Sequence, residues 1–204
     1  MVEKAPLRGE ISRAWSRIKD DASPMNIRLA TENDIPAIEA LIHDSVHGLQ
    51  GEFYSAAQRE AALGPVFGVD RVLIRDGTYF LAEIAGQIVG CGGWSRRRAV
   101  FGGDQGRETD EGTLDPASDA ARIRAFFVHP DAARQGIGSA FLRAAEEAIR
   151  SEGFQRIVMA ATLPGEALYA RHGYEVEERY EITLEGEITL PLVRMAKSLT
   201  SEPS

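Results

Sequence analysis

Cysteine is scarce in this sequence, and long hydrophobic runs are absent from it. Its one cysteine, Cys91, excludes an intramolecular disulfide and a zinc site made of several cysteines. No apolar stretch approaches the roughly 20 residues that a membrane-spanning helix needs, so no transmembrane segment is predicted. The first residues include Glu3 and Glu10 and lack the apolar segment of a secretory signal, and we therefore expect a cytoplasmic location.

Positive charge is also in short supply. The 204 residues contain 23 Lys and Arg against 31 Asp and Glu, which gives a formal net charge of −8. Broad nucleic-acid binding needs a basic stripe that neutralises phosphates, so this balance argues against a nucleic-acid partner. A small anionic ligand is compatible with this negative net charge, because binding of such a ligand depends on the local charge around its site and not on the total charge of the chain.

The chain divides into a short extension and one domain. Residues 1–24 mix both charges and follow a weak helical pattern, so we expect a partly helical or flexible arm, with Met25 as a candidate natural start. Residues 25–204 have the length of one domain with a sizeable core. Within them, Ser95–Asp119 is long, charged and rich in glycine, which is typical of a functional or mobile loop.

Hydrophobic patterns predict alternating strands and helices along this domain. The predicted strands are Met25–Ala30, Thr78–Ala85, Gln87–Trp94, Ala121–Val128, Arg156–Ala161, Tyr174–Leu184 and Glu187–Met195. The first helix is predicted after Asp34, with His47–Tyr54 irregular behind it. The other predicted helices are Ser55–Leu63, Ile137–Arg150 and Glu166–Arg171. Ile137–Arg150 has the clearest apolar face of the four.

The segment Phe126–Ser139 joins a strand to this strongest helix through a loop that contains glycine. The first-turn amides of a helix lack intrahelical acceptors and carry partial positive charge. Gly136 and Gly138 leave those amides accessible to a phosphate, while Arg134 adds a charge and Ser139 adds a hydroxyl donor. A diphosphate cradle is one interpretation, and glycines that merely permit a tight turn are the other.

Two common phosphate motifs do not fit this segment. The dinucleotide pattern G-x-G-x-x-G would need glycine at position 141, which is Phe141. The Gly-Lys-Ser/Thr ending of a P-loop is absent.

The segment resembles motif A of the GNAT superfamily of acyl-CoA-dependent N-acetyltransferases. The resemblance rests on Val128-His129-Pro130 followed by Ala133–Leu142, which keeps both glycines of the family pattern Gln/Arg-x-x-Gly-x-Gly/Ala. Ala133 departs from it by standing where Gln or Arg is usual. A second match, Ala167–Tyr174, resembles the family's helix that bears a tyrosine and is followed by Gly-Phe/Tyr. The strand order, the hairpin before motif A and the closing antiparallel pair agree as well, so the resemblance covers about residues 25–197.

The resemblance implies an α/β fold with a mixed, mostly antiparallel sheet of six to seven strands, flanked by about four helices. The strands before and after the main helix would run parallel and splay apart to admit the cofactor. It also implies acetyl-CoA as co-substrate and direct attack of a primary amine on the thioester, through a tetrahedral oxyanion.

Individual roles follow from the same resemblance. Main-chain groups of Phe127 and Val128 would hold the pantetheine arm, with the Val128 amide polarising the thioester carbonyl. Tyr169 would donate a proton or hydrogen bond to the departing sulfur, although a merely buried tyrosine stays an alternative. The residues expected at the diphosphate are Ala133, Arg134, Gln135, Gly136, Ile137, Gly138 and Ser139. No metal ligand set is expected.

The general base is left open. The strand before motif A, Ala121–Ala125, carries no carboxylate. Glu83 and His47 are candidates, but the pattern favours a solvated glutamate and a surface histidine. Water, or a substrate that arrives as the free amine, would remove the need for a base.

Several residues have two interpretations each. Arg122 and Arg124 should share one sheet face and, with Arg96–Arg98, would recognise an acidic group on the acceptor or pair with acids of the long loop. Cys91 is an acyl-accepting nucleophile or a small apolar strand residue. Trp94 and Tyr54 belong to the acceptor pocket or to the core.

An alternative function is a non-catalytic acyl-CoA-binding sensor or interaction module. It would keep the diphosphate cradle and have no use for Tyr169. The acceptor, a small-molecule or peptide amine, is not identified by the sequence. A homodimer is compatible with the family.

Overall fold

The computed structural model describes residues 24–98 and 112–199. The strands in this part of the chain are β1 Asn26–Leu29, β2 Tyr79–Ile84, β3 Gln87–Ser95, β4 Ala121–Val128, β5 Arg156–Thr162, β6 Glu175–Thr183 and β7 Thr189–Ser198. The helices are α1 Ile35–Leu49, α2 Ala56–Ala62, α3 Arg71–Arg75, α4 Ile137–Ser151 and α5 Glu166–Arg171. None of these helices is long and apolar enough to cross a membrane.

The strands form one seven-stranded sheet in the order β1-β2-β3-β4-β5-β7-β6. Every neighbouring pair is antiparallel except β4–β5, which is parallel. The predicted fold class is therefore confirmed: an α/β fold with a mixed, mostly antiparallel sheet. The turn between β2 and β3 is tight because Ala85 and Gly86 both have positive φ, 50° and 76°, as a two-residue hairpin turn needs.

Two helices differ from the prediction. His47 belongs to α1, which continues to Leu49, so the segment after residue 46 begins as helix and not as irregular chain. The buried Val46 extends the apolar face of α1 by one more turn. The sequence patterns also missed α3, whose five residues are too few for a helical period to be visible. Asp70 caps α3 by accepting the N–H of Leu73 at 3.2 Å.

Two predictions lie largely outside the described residues: the N-terminal arm and the central part of Ser95–Asp119. The described ends of that loop are ordered by the sheet. Ser95 is the last residue of β3, and Arg97 forms an antiparallel bridge with Thr113.

Hydrophobic packing covers both faces of the sheet. On one face, α1 contributes Ile38 and Leu41 to a cluster that includes Phe127 of β4. On the other face, α4 contributes Leu142 to a cluster that includes Ile123 of β4. Strand β4 thus packs against helices on both sides, which is why Ile123 and Phe127 are both buried.

Strand β4 separates from β5 soon after they pair. The parallel ladder contains only Ala121–Ile157 and Arg122–Val158, whereas β5 pairs with β7 along its whole length. The expected splay between these two strands is therefore present.

A bulge in β4 accompanies the separation. Phe127 pairs with Cys91 and Arg124 pairs with Gly93, so two residues of β4, Ala125 and Phe126, stand against one of β3. Ala125 has a positive φ of 58°. The residue opposite the bulge is Gly92, where a Cβ would lie 2.3 Å from the Phe126 ring, so the bulge needs glycine there.

Candidate active site

A cleft of about 490 Å³ opens where β4 ends and α4 begins. Its walls come from α1, the end of β4, the loop before α4, the first turns of α4, and α5. A smaller cavity of about 50 Å³ lies in the gap between β4 and β5. We call these the cleft and the gap cavity. Phe126, Thr162 and Tyr169 line both, so the inner end of the cleft meets the splayed strands.

The loop before α4 has an unusual backbone that presents amides to the cleft. Arg134 and Gly136 both have left-handed φ angles, 65° and 84°. A Cβ added to Gly136 would meet no other atom within 4 Å, so the residue borders open space and a side chain would stand in it. The following first-turn amides of α4 have no intrahelical acceptors. This combination suits a diphosphate, as the sequence predicted for this segment.

Most of the residues expected at the diphosphate line the cleft. They are Ala133, Arg134, Gly136, Ile137, Gly138 and Ser139, together with Val128. Phe127 lines the gap cavity instead. Gln135 is exposed, and its side-chain amide donates to the carbonyl of Asp131 at 3.2 Å, within the loop itself.

Glycine is needed at positions 136 and 138 for different physical reasons. Gly136 supplies the left-handed conformation that turns the chain into α4. Gly138 allows α5 to pack against α4, because a Cβ there would lie 2.6 Å from Cδ2 of Leu168. Gly138 therefore has a structural role whether or not it also borders a ligand.

Tyr169 is held at the inner end of the cleft by the short helix α5. Its side chain is buried, with ring centroids 6.3 Å from Phe126 and 6.0 Å from Tyr174. Burial raises the pKa of the Tyr169 phenol well above its usual value, so it stays protonated at neutral pH. Tyr169 therefore lines both cavities and keeps its phenol proton, which is compatible with the role of proton donor that the resemblance implies.

The backbone amide of Val128, at the end of β4, points away from β3. The N–H of the next residue, His129, donates to the carbonyl of Val89 in β3 at 2.9 Å, and amide directions alternate along a strand. The Val128 N–H donates to the hydroxyl of Ser45 in α1 at 3.3 Å.

Sequence reasoning missed Ser45. This residue carried a readable signal, because it is a polar residue inside the apolar stripe formed by Ile38, Leu41, Ile42 and Val46. The bulge in β4 was also missed, since no local pattern indicates it.

Neither candidate base lines the cleft or the gap cavity. Glu83 accepts a hydrogen bond from Arg28 Nε at 2.9 Å, beside β1. His47 lies on α1 with Nε2 3.4 Å from a carboxylate oxygen of Glu60. Both therefore have local partners away from Tyr169.

Three other candidate residues are buried in the core. Cys91 accepts the hydroxyl hydrogen of Tyr79 at 3.3 Å, and burial raises the pKa of its thiol to about 12, which disfavours a thiolate nucleophile. Tyr54 donates to the carbonyl of Pro191 and accepts the N–H of Leu163, both at 2.9 Å. Trp94 packs against Phe154. None of the three lines either cavity.

The arginines before the bulge are not ordinary solvated side chains. Arg124 is buried, and its Nε lies 3.4 Å from Oδ2 of the equally buried Asp70. Arg122 is half-buried, and burial followed by the nearby Arg194 lowers its pKa. The run Arg96–Arg98 pairs with acids, at 3.2 Å to Glu152, 2.7 Å to Asp76 and 3.9 Å to Asp119. Pairing with acids is thus the observed state of most of this set. Asp119 belongs to the long loop, as expected, whereas Glu152, Asp76 and Asp70 lie outside it.

The splayed parallel pair, the bulge and the amide-lined cleft together define an acyl-CoA-dependent transferase fold. Residues 43–174 match the model of the acetyltransferase (GNAT) family, which is more than half of the chain. The chain belongs to this family of N-acetyltransferase enzymes, whose acyl donor is acetyl-CoA. A comparison with curated protein sequences gives no significant match.

Solved structures of the same fold are similar over most of this chain. The GCN5-related N-acetyltransferase from Rhodopseudomonas palustris superposes with a TM-score of 0.63 at 20% identity, covering 88% of this chain and 97% of that one. The PaiA N-acetyltransferase from Thermoplasma acidophilum, solved in complex with coenzyme A, gives 0.60 at 14% identity over 86% and 99%. YncA from Salmonella typhimurium, a putative acetyltransferase solved with its cofactor acetyl-CoA, gives 0.58 at 18% identity over 89% and 98%.

Proposed function

We propose that this enzyme transfers the acetyl group of acetyl-CoA to a primary amine by direct attack. The observation that carries the proposal is the continuity of the site. The amide-lined mouth of the cleft, suited to a diphosphate, leads inward to Tyr169 and to the gap between β4 and β5. A pantetheine arm laid along this path would bring its thioester to the splayed strands.

The proposed binding roles divide along the cleft. Arg134, Ser139 and the first-turn amides of α4 bind the diphosphate. Main-chain groups of Phe127 and Val128 hold the pantetheine arm. The Val128 amide, which donates to Ser45 at the wall of the cleft, polarises the thioester carbonyl.

The proposed reaction is a single transfer at the thioester carbon. The amine nitrogen adds to this carbon and gives a tetrahedral oxyanion, whose charge is stabilised by the Val128 N–H. The carbon–sulfur bond then breaks as the carbonyl re-forms. Tyr169 gives its hydroxyl proton to the departing sulfur and recovers a proton from solvent. The proton lost by the amine nitrogen passes to water.

We infer that proton removal from the amine needs no dedicated side chain among the described residues. Those that line the cleft and the gap cavity include no Asp, Glu or His. The acceptor would therefore react as the free amine. Its rate should then follow the pKa of the amine itself, increasing with pH until the acceptor is deprotonated.

A thiol-release assay across amines of different classes tests the proposal. The panel contains small alkyl and aryl amines, amino acids, aminoglycosides, and peptides with a free N-terminus or lysine. We expect amine-dependent release of CoA thiol together with the acetylated amide in the mass spectrum. Tight binding of acetyl-CoA without acceptor-dependent release across the panel would favour the non-catalytic binding module.

A further inference from the structure

His172 contacts the cleft indirectly, through Ser139. Its Nε2 lies 2.8 Å from the Ser139 hydroxyl, which is a hydrogen-bond distance. His172 follows α5 directly, and its own N–H donates to the carbonyl of Tyr169 at 2.9 Å. The histidine thus joins the first turn of α4 to the helix that carries Tyr169.

The direction of this hydrogen bond determines whether the Ser139 hydroxyl can donate its proton to a ligand. A serine hydroxyl has one proton to donate and accepts other hydrogen bonds at its oxygen. If Nε2 carries a hydrogen and donates to Ser139, the serine proton is left for an anion in the cleft. A protonated imidazole always donates, whereas a neutral one donates only in one tautomer.

Several charged groups influence the protonation of the imidazole. Burial lowers the pKa of His172, Glu146 raises it, and Lys197, Arg143 and Arg171 lower it further. Glu146 itself accepts hydrogen bonds from Lys197 at 2.8 Å and from the Tyr174 hydroxyl at 3.1 Å. A diphosphate at Ser139 would add negative charge near Nε2, which favours the protonated imidazole.

We propose that His172 is a positioning residue that directs the Ser139 hydroxyl at the diphosphate of acetyl-CoA and takes up a proton when the diphosphate binds. The inference rests on the proposed diphosphate site and extends it to a residue that does not line the cleft. Proton uptake makes affinity depend on pH: binding is tightest where free His172 is already protonated. It weakens as pH increases through the pKa of His172 in the complex, and is constant above that value.

The test measures binding of dephospho-CoA by calorimetry at pH 6 and pH 8. This probe keeps the diphosphate and lacks the 3′-phosphate, a monoester that would itself titrate near pH 6. For the wild-type enzyme we expect affinity about 3- to 10-fold higher at pH 6, since a pKa change of one unit corresponds to a tenfold change in binding. Titrations in two buffers of different ionisation enthalpy should reveal net proton uptake by the protein.

Two variants separate proton uptake from hydrogen bonding. H172Q retains an N–H donor without a titrating group, so it should bind near the wild-type affinity at pH 8 and lose the gain at pH 6. H172A removes the donor as well and should bind more weakly at both pH values. H43Q removes an exposed histidine from α1 and serves as the matched control, with the wild-type pH dependence expected.

The possible results distinguish this inference from the function on which it rests. If H172Q keeps the wild-type pH dependence and proton uptake, or H172A binds like the wild type at both pH values, His172 does not position Ser139. If neither dephospho-CoA nor acetyl-CoA binds the wild-type enzyme, the diphosphate site itself is wrong. Thermal unfolding of the free variants shows whether a loss of binding reflects lost folding. The ratio of the H172Q affinities at pH 6 and pH 8 is interpreted independently of that measurement.

Discussion

The hydroxyl of Ser45 accepts the backbone N–H of Val128 at 3.3 Å, across the boundary between α1 and the open side of β4. Both residues line the cleft, and Ser45 is almost fully buried. The serine therefore satisfies, in the free enzyme, the amide that we assign to the thioester carbonyl. In the proposed binding mode, acetyl-CoA replaces this hydrogen bond.

Ser45→Ala should tighten acetyl-CoA binding while destabilising the free enzyme. Without the serine, the Val128 N–H loses its partner, which costs about 1 kcal/mol of unfolding free energy. The bound carbonyl would restore a partner, so we expect affinity to increase about threefold and the stabilisation by acetyl-CoA to grow. Calorimetric titration and thermal unfolding with and without ligand measure both. The control is S151A at the exposed end of α4; weaker binding by S45A would instead mean that the hydroxyl itself contacts the cofactor.

Tyr169→Phe should reduce turnover far more than acetyl-CoA affinity. The ring and its packing remain, and only the proton that we assign to the departing sulfur is lost. We expect kcat to fall about 10- to 100-fold, with the KM for acetyl-CoA within about twofold of the wild type. Steady-state thiol release with the best acceptor measures both, and Y180F, on β6 and outside both cavities, is the control. An unchanged kcat would remove Tyr169 from the mechanism.

The pH profile offers a separate check on Tyr169. Burial raises the pKa of its phenol above the usual value near 10, so the proton is present throughout the neutral and mildly basic range. The wild-type kcat should therefore show no descending limb below about pH 10. A decline centred near pH 8 would indicate a different acid.

Local patterns predicted the parts of the site that depend on neighbouring residues in the chain. Glycine spacing and the hydrophobic period were enough to predict a loop that ends at Gly136 and a helix that starts next to it. They also predicted the short helix that carries Tyr169. The binding and catalytic roles of these residues came from the family resemblance and stay predictions.

Features that depend on distant strands were not predictable in this way. The gap beside β4 exists because β5 pairs with β7 and leaves β4 after Arg122, and this pairing is between segments far apart in sequence. Arg124 illustrates the same point. Its alternation with Ile123 was visible, but its burial against Asp70 depends on α3, a helix too short to produce a pattern.

Arg134→Gly should separate backbone strain from phosphate binding. Arg134 has a left-handed φ of 65°, which costs an ordinary residue about 1 kcal/mol and costs glycine almost nothing. We expect no loss of thermal stability, but a KM for acetyl-CoA about 5- to 20-fold higher because the charge beside the diphosphate is gone. Arg134→Lys keeps a charge and should recover most of this affinity. An unchanged KM in R134G would mean that the backbone amides alone bind the diphosphate.

Asp34→Asn should destabilise the enzyme at neutral pH and not in acid. The Asp34 carboxylate accepts hydrogen bonds from both terminal nitrogens of Arg28 at 2.9 and 2.8 Å, and from the N–H of Thr31 at 2.8 Å. Hydrogen bonding from Arg28 holds the pKa of Asp34 well below its usual range. In the wild type, this carboxylate thus contributes its full stabilisation above the unfolded pKa near 3.9 and loses it as pH falls toward the folded pKa.

We expect D34N to lower the unfolding free energy by about 1–2 kcal/mol at pH 7, with the difference shrinking between about pH 4 and pH 2. Denaturant unfolding across this range measures it, with E32Q, an exposed acid in the same turn, as the control. A difference that stays constant down to pH 2 would show that the asparagine disturbs the cap by shape and not by charge.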